Sequence, residues 1–193
     1  MNLKKEILEW IFSIAIAIAI VILMTKFVFA SYTVSGLSMY PTFNDRDKVV
    51  VSKISKTLNN IDSGDVIIFH ENSKDDYIKR LIGKPGDTVS YKSDNLYING
   101  KKVQEPYLKY NKNHKYSKTL TEDFNSKDLK GSNGKKTIPK NRYLVLGDNR
   151  LNSVDSRFEQ VGLIKESQIV GKVGLRYWPL SEMKFKFNPK TFE

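Results

Sequence analysis

Ser38 lies in Val34-Ser35-Gly36-Leu37-Ser38-Met39-Tyr40-Pro41-Thr42, a mostly apolar segment broken by one glycine and one proline. A serine hydroxyl is a useful nucleophile only when a neighbouring group removes its proton. The two imidazoles are poorly placed for that task. His114 sits in the polar run Asn111-Lys112-Asn113-His114-Lys115, and His70 ends a strand-like run beside Glu71. Neither forms a cluster with metal-ligand spacing. Lys79 stands in Tyr77-Ile78-Lys79-Arg80-Leu81-Ile82-Gly83, where alternation puts Tyr77, Lys79 and Leu81 on one face and Ile78, Arg80 and Ile82 on the other. Whichever face is buried, a basic residue falls between two large apolar ones. An ordinary lysine, with pKa ~10.4, is neutral about once in 2,500 molecules at pH 7, and desolvation lowers that pKa. Arginine stays charged in a protein, so Lys79 rather than Arg80 is the candidate base. A lysine snorkelling at a sheet edge fits the same spacing, and the residues alone leave both readings open.

Backbone context bears on the serine too. Pro41 disfavours helix at Tyr40, so Ser38 is expected on extended chain or at a bend. Gly36 permits close approach of another backbone, such as a docked substrate strand. Free N–H groups here would stabilise a developing oxyanion. A third cluster is Leu146-Gly147-Asp148-Asn149-Arg150-Leu151-Asn152-Ser153-Val154-Asp155-Ser156-Arg157. If extended, it turns Ser153, Asp155 and Arg157 the same way, with Asp155 free to pair Arg157 and Ser153 free to bond an amine. An ordinary turn-rich loop also accounts for it.

Elements that would hold these residues follow from periodicity. Val49-Val50-Val51, Val66–Phe69, Tyr77–Ile82, Thr88–Tyr91, Leu96–Ile98, Tyr143–Leu146 and Ile169–Tyr177 are short runs rich in β-branched and aromatic residues. Turn formers separate them, among them Asn59-Asn60, Lys84-Pro85-Gly86-Asp87 and Gly147-Asp148-Asn149. Asn99-Gly100 between Tyr97-Ile98 and Lys101–Val103 predicts a type I′ hairpin. The fold class is therefore mainly β: a barrel-like or two-sheet body following an N-terminal helix. Residues 109–136 are rich in Lys, Asn, Ser and Asp and predict a solvated excursion or minor lobe.

The uncharged run Trp10–Thr25, extended to residues 7–30, makes about 36 Å of helix, enough for a bilayer core of ~30 Å. Its length and the bulky Lys26-Phe27-Val28-Phe29 after it favour an uncleaved anchor over a signal peptide. Lys4 and Lys5 before the span put residues 1–6 in the cytoplasm and 31–193 outside the cell membrane. The 193 residues carry a formal charge of +11 and no cysteine, which excludes disulfides and thiolate metal sites. Basic and acidic residues are interspersed, with no nucleic-acid-binding motif, so the charge reads as solvated surface rather than a nucleic-acid interface.

Taken in order behind the apolar segment, the three clusters resemble those of type I signal peptidases, the membrane-anchored Ser–Lys serine proteases. The matching stretches are Ser35–Thr42, Lys79–Asp87 and Gly147–Arg157; Tyr97–Val103 and Glu105-Pro106-Tyr107 further resemble the single-span form of Gram-positive bacteria. The likeness covers nearly the whole chain and is weakest over 109–136. It implies Ser38 as nucleophile, Lys79 as general base, and Ser153 as the serine that orients the lysine. Asp155 and Arg157 would be a supporting pair, and Asp148 would lie in the same loop. Some relatives carry a serine where this chain has Gly36; its oxyanion hole would rest on backbone N–H groups, including that of Ser38. The resemblance further implies secretory preproteins as substrates, cut after A-x-A-like small residues, with no cofactor. The surface around Leu37, Met39 and Tyr40 would dip toward lipid. Two rivals are a self-cleaving repressor, opposed by the anchor, and a non-catalytic precursor-binding paralogue, which should have lost its serine or lysine.

Overall fold

The computed structural model describes residues 3–57 and 60–192. Met1 and Asn2 of the expected cytoplasmic segment, and Asn59 of one expected turn, lie outside the described residues. Helix α1, Leu3–Leu23, is built from alternating Ile and Ala with no Gly or Pro to interrupt it. It continues as a widened turn over Met24–Val28. The apolar stretch Lys5–Val28 has no buried residue in its most apolar 18-residue window, and only its C-terminal end meets the β body, where Lys53 donates to Val28 O and Lys26 O. At 24 residues it is about 36 Å long.

The chain then enters β1, Phe29–Thr33, and β2, Lys48–Ser52, followed by a single helical turn α2, Ile54–Thr57. Next come β3, Val66–His70; β4, Asp76–Gly83; β5, Val89–Lys92; β6, Asn95–Ile98; and β7, Lys101–Val103. Helix α3, Lys109–Asn113, precedes β8, Phe124–Asn125, β9, Arg142–Leu146, and β10, Ile164–Lys165. The long β11, Ile169–Trp178, and a short β12, Lys184–Phe185, complete the chain. These make two antiparallel sheets. The larger runs β1-β2-β11-β3-β4-β9-β10, with β12 on β11; the smaller runs β7-β6-β5-β8. Bulges in β11 and at Leu81/Gly83 of β4 bend the large sheet.

Both faces of the large sheet are covered. Val66, Ile68 and Ile78 pack with Val34, Met39, Phe43 and Phe187 on one side. Ile67, Phe69, Leu81 and Val145 form the other cluster with Ile164 and Ile169. That is why Val66-Ile67-Ile68-Phe69 is apolar at every position instead of alternating. Each of the seven expected runs contains a strand. Asn99 and Gly100 adopt φ of 52° and 78°, as the type I′ turn between β6 and β7 requires.

Three features differ from the sequence expectation. Phe29 and Ala30, counted with the apolar helix, pair instead with Ser52 and Val51 in β1. Met39 does not face outward: it is 1% exposed and packs beside Phe43, so of that apolar trio only Leu37 is exposed. Residues 109–136 are not simply solvated, because Asn111, Leu120, Thr121, Ser126, Leu129 and Ser132 are buried.

Candidate active site

Ser38 and Lys79, 41 residues apart, meet where the turn after β1 crosses the middle of β4. The Ser38 Oγ to Lys79 Nζ distance is 2.8 Å. Lys79 is 4% exposed, and burial is the main reason its pKa falls from 10.5 to about 8, against the pull of Asp155 and then Asp148 and with a smaller push from Arg157. Its ammonium also lies 5.1 Å from the centre of the Tyr77 ring, as two residues on one strand face should. These contacts place Lys79 in the interior rather than snorkelling at a sheet edge.

Gly36 adopts φ of +82°, which by itself accounts for a glycine there. The space a side chain would occupy is open, and its N–H donates to Asp45 Oδ1 at 2.7 Å. Gly36 therefore shapes the turn rather than offering a free donor. Ser38's own N–H has no acceptor among the described residues.

The Gly147–Arg157 loop packs directly beneath the serine. Asn149 N–H donates to Ser38 O and its Nδ2 to Leu37 O, both at 3.0 Å. Gly147 is wedged so tightly that a Cβ there would lie 2.5 Å from Ser38 O and 2.1 Å from Ser153 Oγ. Its N–H donates to Asp155 Oδ2, and its carbonyl accepts from Arg150 Nε, each at 3.0 Å. Asp155 is fully buried and pairs with Arg157 at 2.8 Å. Ser153 Oγ, expected to bond Lys79, is buried and makes no hydrogen bond among the described residues.

Asp148 does more than sit in the loop. Its carboxylate accepts from Arg80 Nε at 2.9 Å and Nη2 at 2.7 Å, and from Thr42 Oγ1 at 2.5 Å. Arg80, the neighbour of the candidate base, also donates to Gly64 O and Phe187 O and stacks over Tyr107, 3.9 Å from its ring centre. A second buried pair joins Arg150 to Glu105 at 2.6 Å, with Tyr91 and Thr121 completing its bonds. Arg150 O in turn accepts from Arg157 at 2.7 Å. Pairing lets these charges persist in the interior. Sequence reasoning passed over Arg80 once it was excluded as a base. Glu105 lies 45 residues from its partner, with only its place beside Pro106-Tyr107 to mark it.

A cleft of about 420 Å³ opens at the dyad, lined by residues 32–38, 76–79, Ile68, Asn152 and Val154. Two strand edges face it. Leu81 exchanges 2.8 Å backbone bonds with Asp65 and Gly64 on the β3 side, so alternation turns the backbone groups of Ile78 away from β3. β9 pairs β4 only from Arg80 onward, which leaves Ile78 unpaired on that side. Val34 is likewise bonded toward residues 46 and 47, turning Ser35 outward. His70, at the end of β3, contacts Asp76 at 2.5 Å, and His114 lies against Tyr110 O; neither reaches the dyad.

Comparison with known proteins shows the family. The sequence model of the family described as "Signal peptidase, peptidase S26" matches residues 7–178. The chain is 52% identical over 190 residues to signal peptidase IB of Staphylococcus aureus (strain MRSA252), covering 98% of each. It is 45% identical over 172 residues to signal peptidase I of Bacillus caldolyticus, covering 89% of this chain and 92% of the other. A crystal structure of a signal peptidase I from Enterococcus faecalis V583 superposes with a TM-score of 0.52 at 38% identity, covering 58% of this chain and 95% of that one.

Proposed function

Since the chain belongs to the peptidase S26 family, the signal peptidases, we propose that it cleaves signal peptides from secretory preproteins with Ser38 as nucleophile and Lys79 as general base. The 2.8 Å approach of the hydroxyl to a buried lysine carries this reading. Neutral Lys79 takes the Ser38 proton as Oγ attacks the scissile carbonyl. The oxyanion is met by the Ser38 N–H, and the role of accepting from the new ammonium falls to Ser153 Oγ, which is buried and unpartnered among the described residues. Lys79 then gives the proton to the leaving amine. A water that yields a proton to Lys79 attacks the acyl-enzyme, and Lys79 returns that proton to Ser38 Oγ as it leaves. Asp155, Arg157 and Asp148 hold the loop that supports the serine.

The substrate enters extended, adding a strand between the Ser35 and Ile78 edges, so main-chain bonds supply most of the grip. The cut follows A-x-A-like small residues, the general form of signal peptides before their cleavage site. Residues 7–28 span the membrane with the N-terminus cytoplasmic and the β body outside, by the Lys4 and Lys5 asymmetry. A precursor-binding paralogue without catalysis is disfavoured because both reacting groups are present and in reach. The test is cleavage of a precursor ending in A-x-A by purified full-length protein. Wild type is expected to cut it and Ser38→Ala and Lys79→Ala to lose at least ~10³-fold; equal rates in all three would sink the proposal.

A further inference from the structure

We infer that Asn111, in the polar segment 109–136, is a positioning residue for catalysis, clamping the nucleophile turn to the loop beneath it. This rests on the Ser38–Lys79 peptidase reading. Asn111 is 9% exposed, and its Nδ2 donates at 2.8 Å to Tyr40 O and at 2.8 Å to Asp148 O. A primary amide has two N–H donors, and both are committed here to backbone carbonyls of different segments. Tyr40 is two residues beyond the nucleophile. Asp148 is one residue before Asn149, which bonds Leu37 O and Ser38 O. Asn111 and Asn149 therefore fasten residues 37–40 to 148–149 from both ends, one from outside the loop and one from within it.

The segment is itself anchored well enough to serve. Tyr110 meets the Tyr40 ring edge-on at 5.4 Å. Asp94 accepts from Leu120 N–H and Thr121 N–H, each at 2.7 Å, and pairs with Lys115 at 2.6 Å. Thr121 Oγ1 accepts from Arg150 at 3.1 Å, tying the middle of the excursion to the same loop. Asn111 touches no reacting atom, so its contribution is the fixed spacing of Ser38 against Lys79. A displacement of about 1 Å there costs on the order of 10²-fold in rate.

The experiment compares full-length wild type, Ser38→Ala, Asn111→Leu and Asn111→Gln on one precursor, with kcat and KM resolved and folding followed by circular dichroism melts. Wild-type cleavage absent in Ser38→Ala establishes the peptidase reading on its own, so failure of that arm is separate from failure of this one. Asn111→Leu, similar in size without a donor, is expected to lose at least ~10-fold in kcat with KM within ~3-fold. Asn111→Gln, which keeps the amide, should regain at least ~3-fold of it. A folded Asn111→Leu with kcat within twofold of wild type overturns the inference. So does a loss carried by KM, or one that Asn111→Gln shares in full. Should Asn111→Leu not be recovered folded, the smaller Asn111→Ala, also without a donor, is read by the same criteria.

Discussion

Lys79 carries two opposed consequences of one burial. Its pKa of about 8 leaves roughly a tenth of the molecules with a neutral base at pH 7, against about one in 2,500 for an ordinary lysine. We predict that kcat/KM rises with pH through about 8; a flat profile from pH 6 to 9 would remove lysine as the base. Between pH 8 and 10.5 the unfolded chain holds a proton at Lys79 that the folded chain has released, so stability rises with pH across that window. Below it the folded chain bears the full cost of about 3 kcal/mol. Lys79→Met should therefore abolish cleavage and yet unfold no earlier, and rather later, than wild type in urea at pH 7. At this scale the sequence was legible where chemistry restricts the choice: one serine in an apolar turn, one lysine in an apolar strand. It was silent where the role depends on what lies opposite. Met39 was expected outward because an apolar side chain next to a membrane helix suits lipid and core equally well. Asn111 gave no signal at all, since an asparagine in a polar run looks the same whether solvated or spanning two carbonyls.

Among elements, the strands were readable because their β-branched and aromatic runs lie between turn formers such as Gly64-Asp65, Gly83, Gly86-Asp87, Asn99-Gly100 and Gly147. β1 was not, because Phe29 and Ala30 follow the apolar helix with no such break. The two-residue strands β8, β10 and β12 are too short to show a period. The loop from Gly147 to Arg157 was visible as a cluster of polar residues, but its tightness was not. Nothing in a lone glycine announces Ser38 O at 2.5 Å on one side and Ser153 Oγ at 2.1 Å on the other of its absent Cβ. One neighbour is backbone and cannot swing aside. Gly147→Ala is thus expected to destabilise the fold by about 1–3 kcal/mol. It should also lower cleavage at least ~10-fold by lifting Ser38 off its support. Measuring both separates this from Gly134→Ala, where the space is open but φ is +70°; that variant should pay only in stability.

For the whole molecule, the apolar helix and the β body are nearly independent in packing, since the most apolar window of the helix has no buried residue and Lys53 meets only its last turn. A chain lacking residues 1–25 is predicted to keep its melting profile and its activity on a soluble peptide, while no longer floating with lipid vesicles. Loss of the fold on truncation would show that the helix is structural. The helix and Ser38 are nevertheless joined through β1, which leaves the helix at Phe29 and is pinned to β2 along all five of its residues. The nine steps from Phe29 to Ser38 reach at most about 30 Å. If the helix spans as proposed, that length is a ruler with its zero at the bilayer surface, and the bond to be cut is chosen partly by its altitude. Three residues inserted between Val28 and Phe29 should then shift preference toward precursors with a longer spacer between apolar core and cleavage bond. An unchanged spacer preference across a graded set of precursors would show that height is not measured.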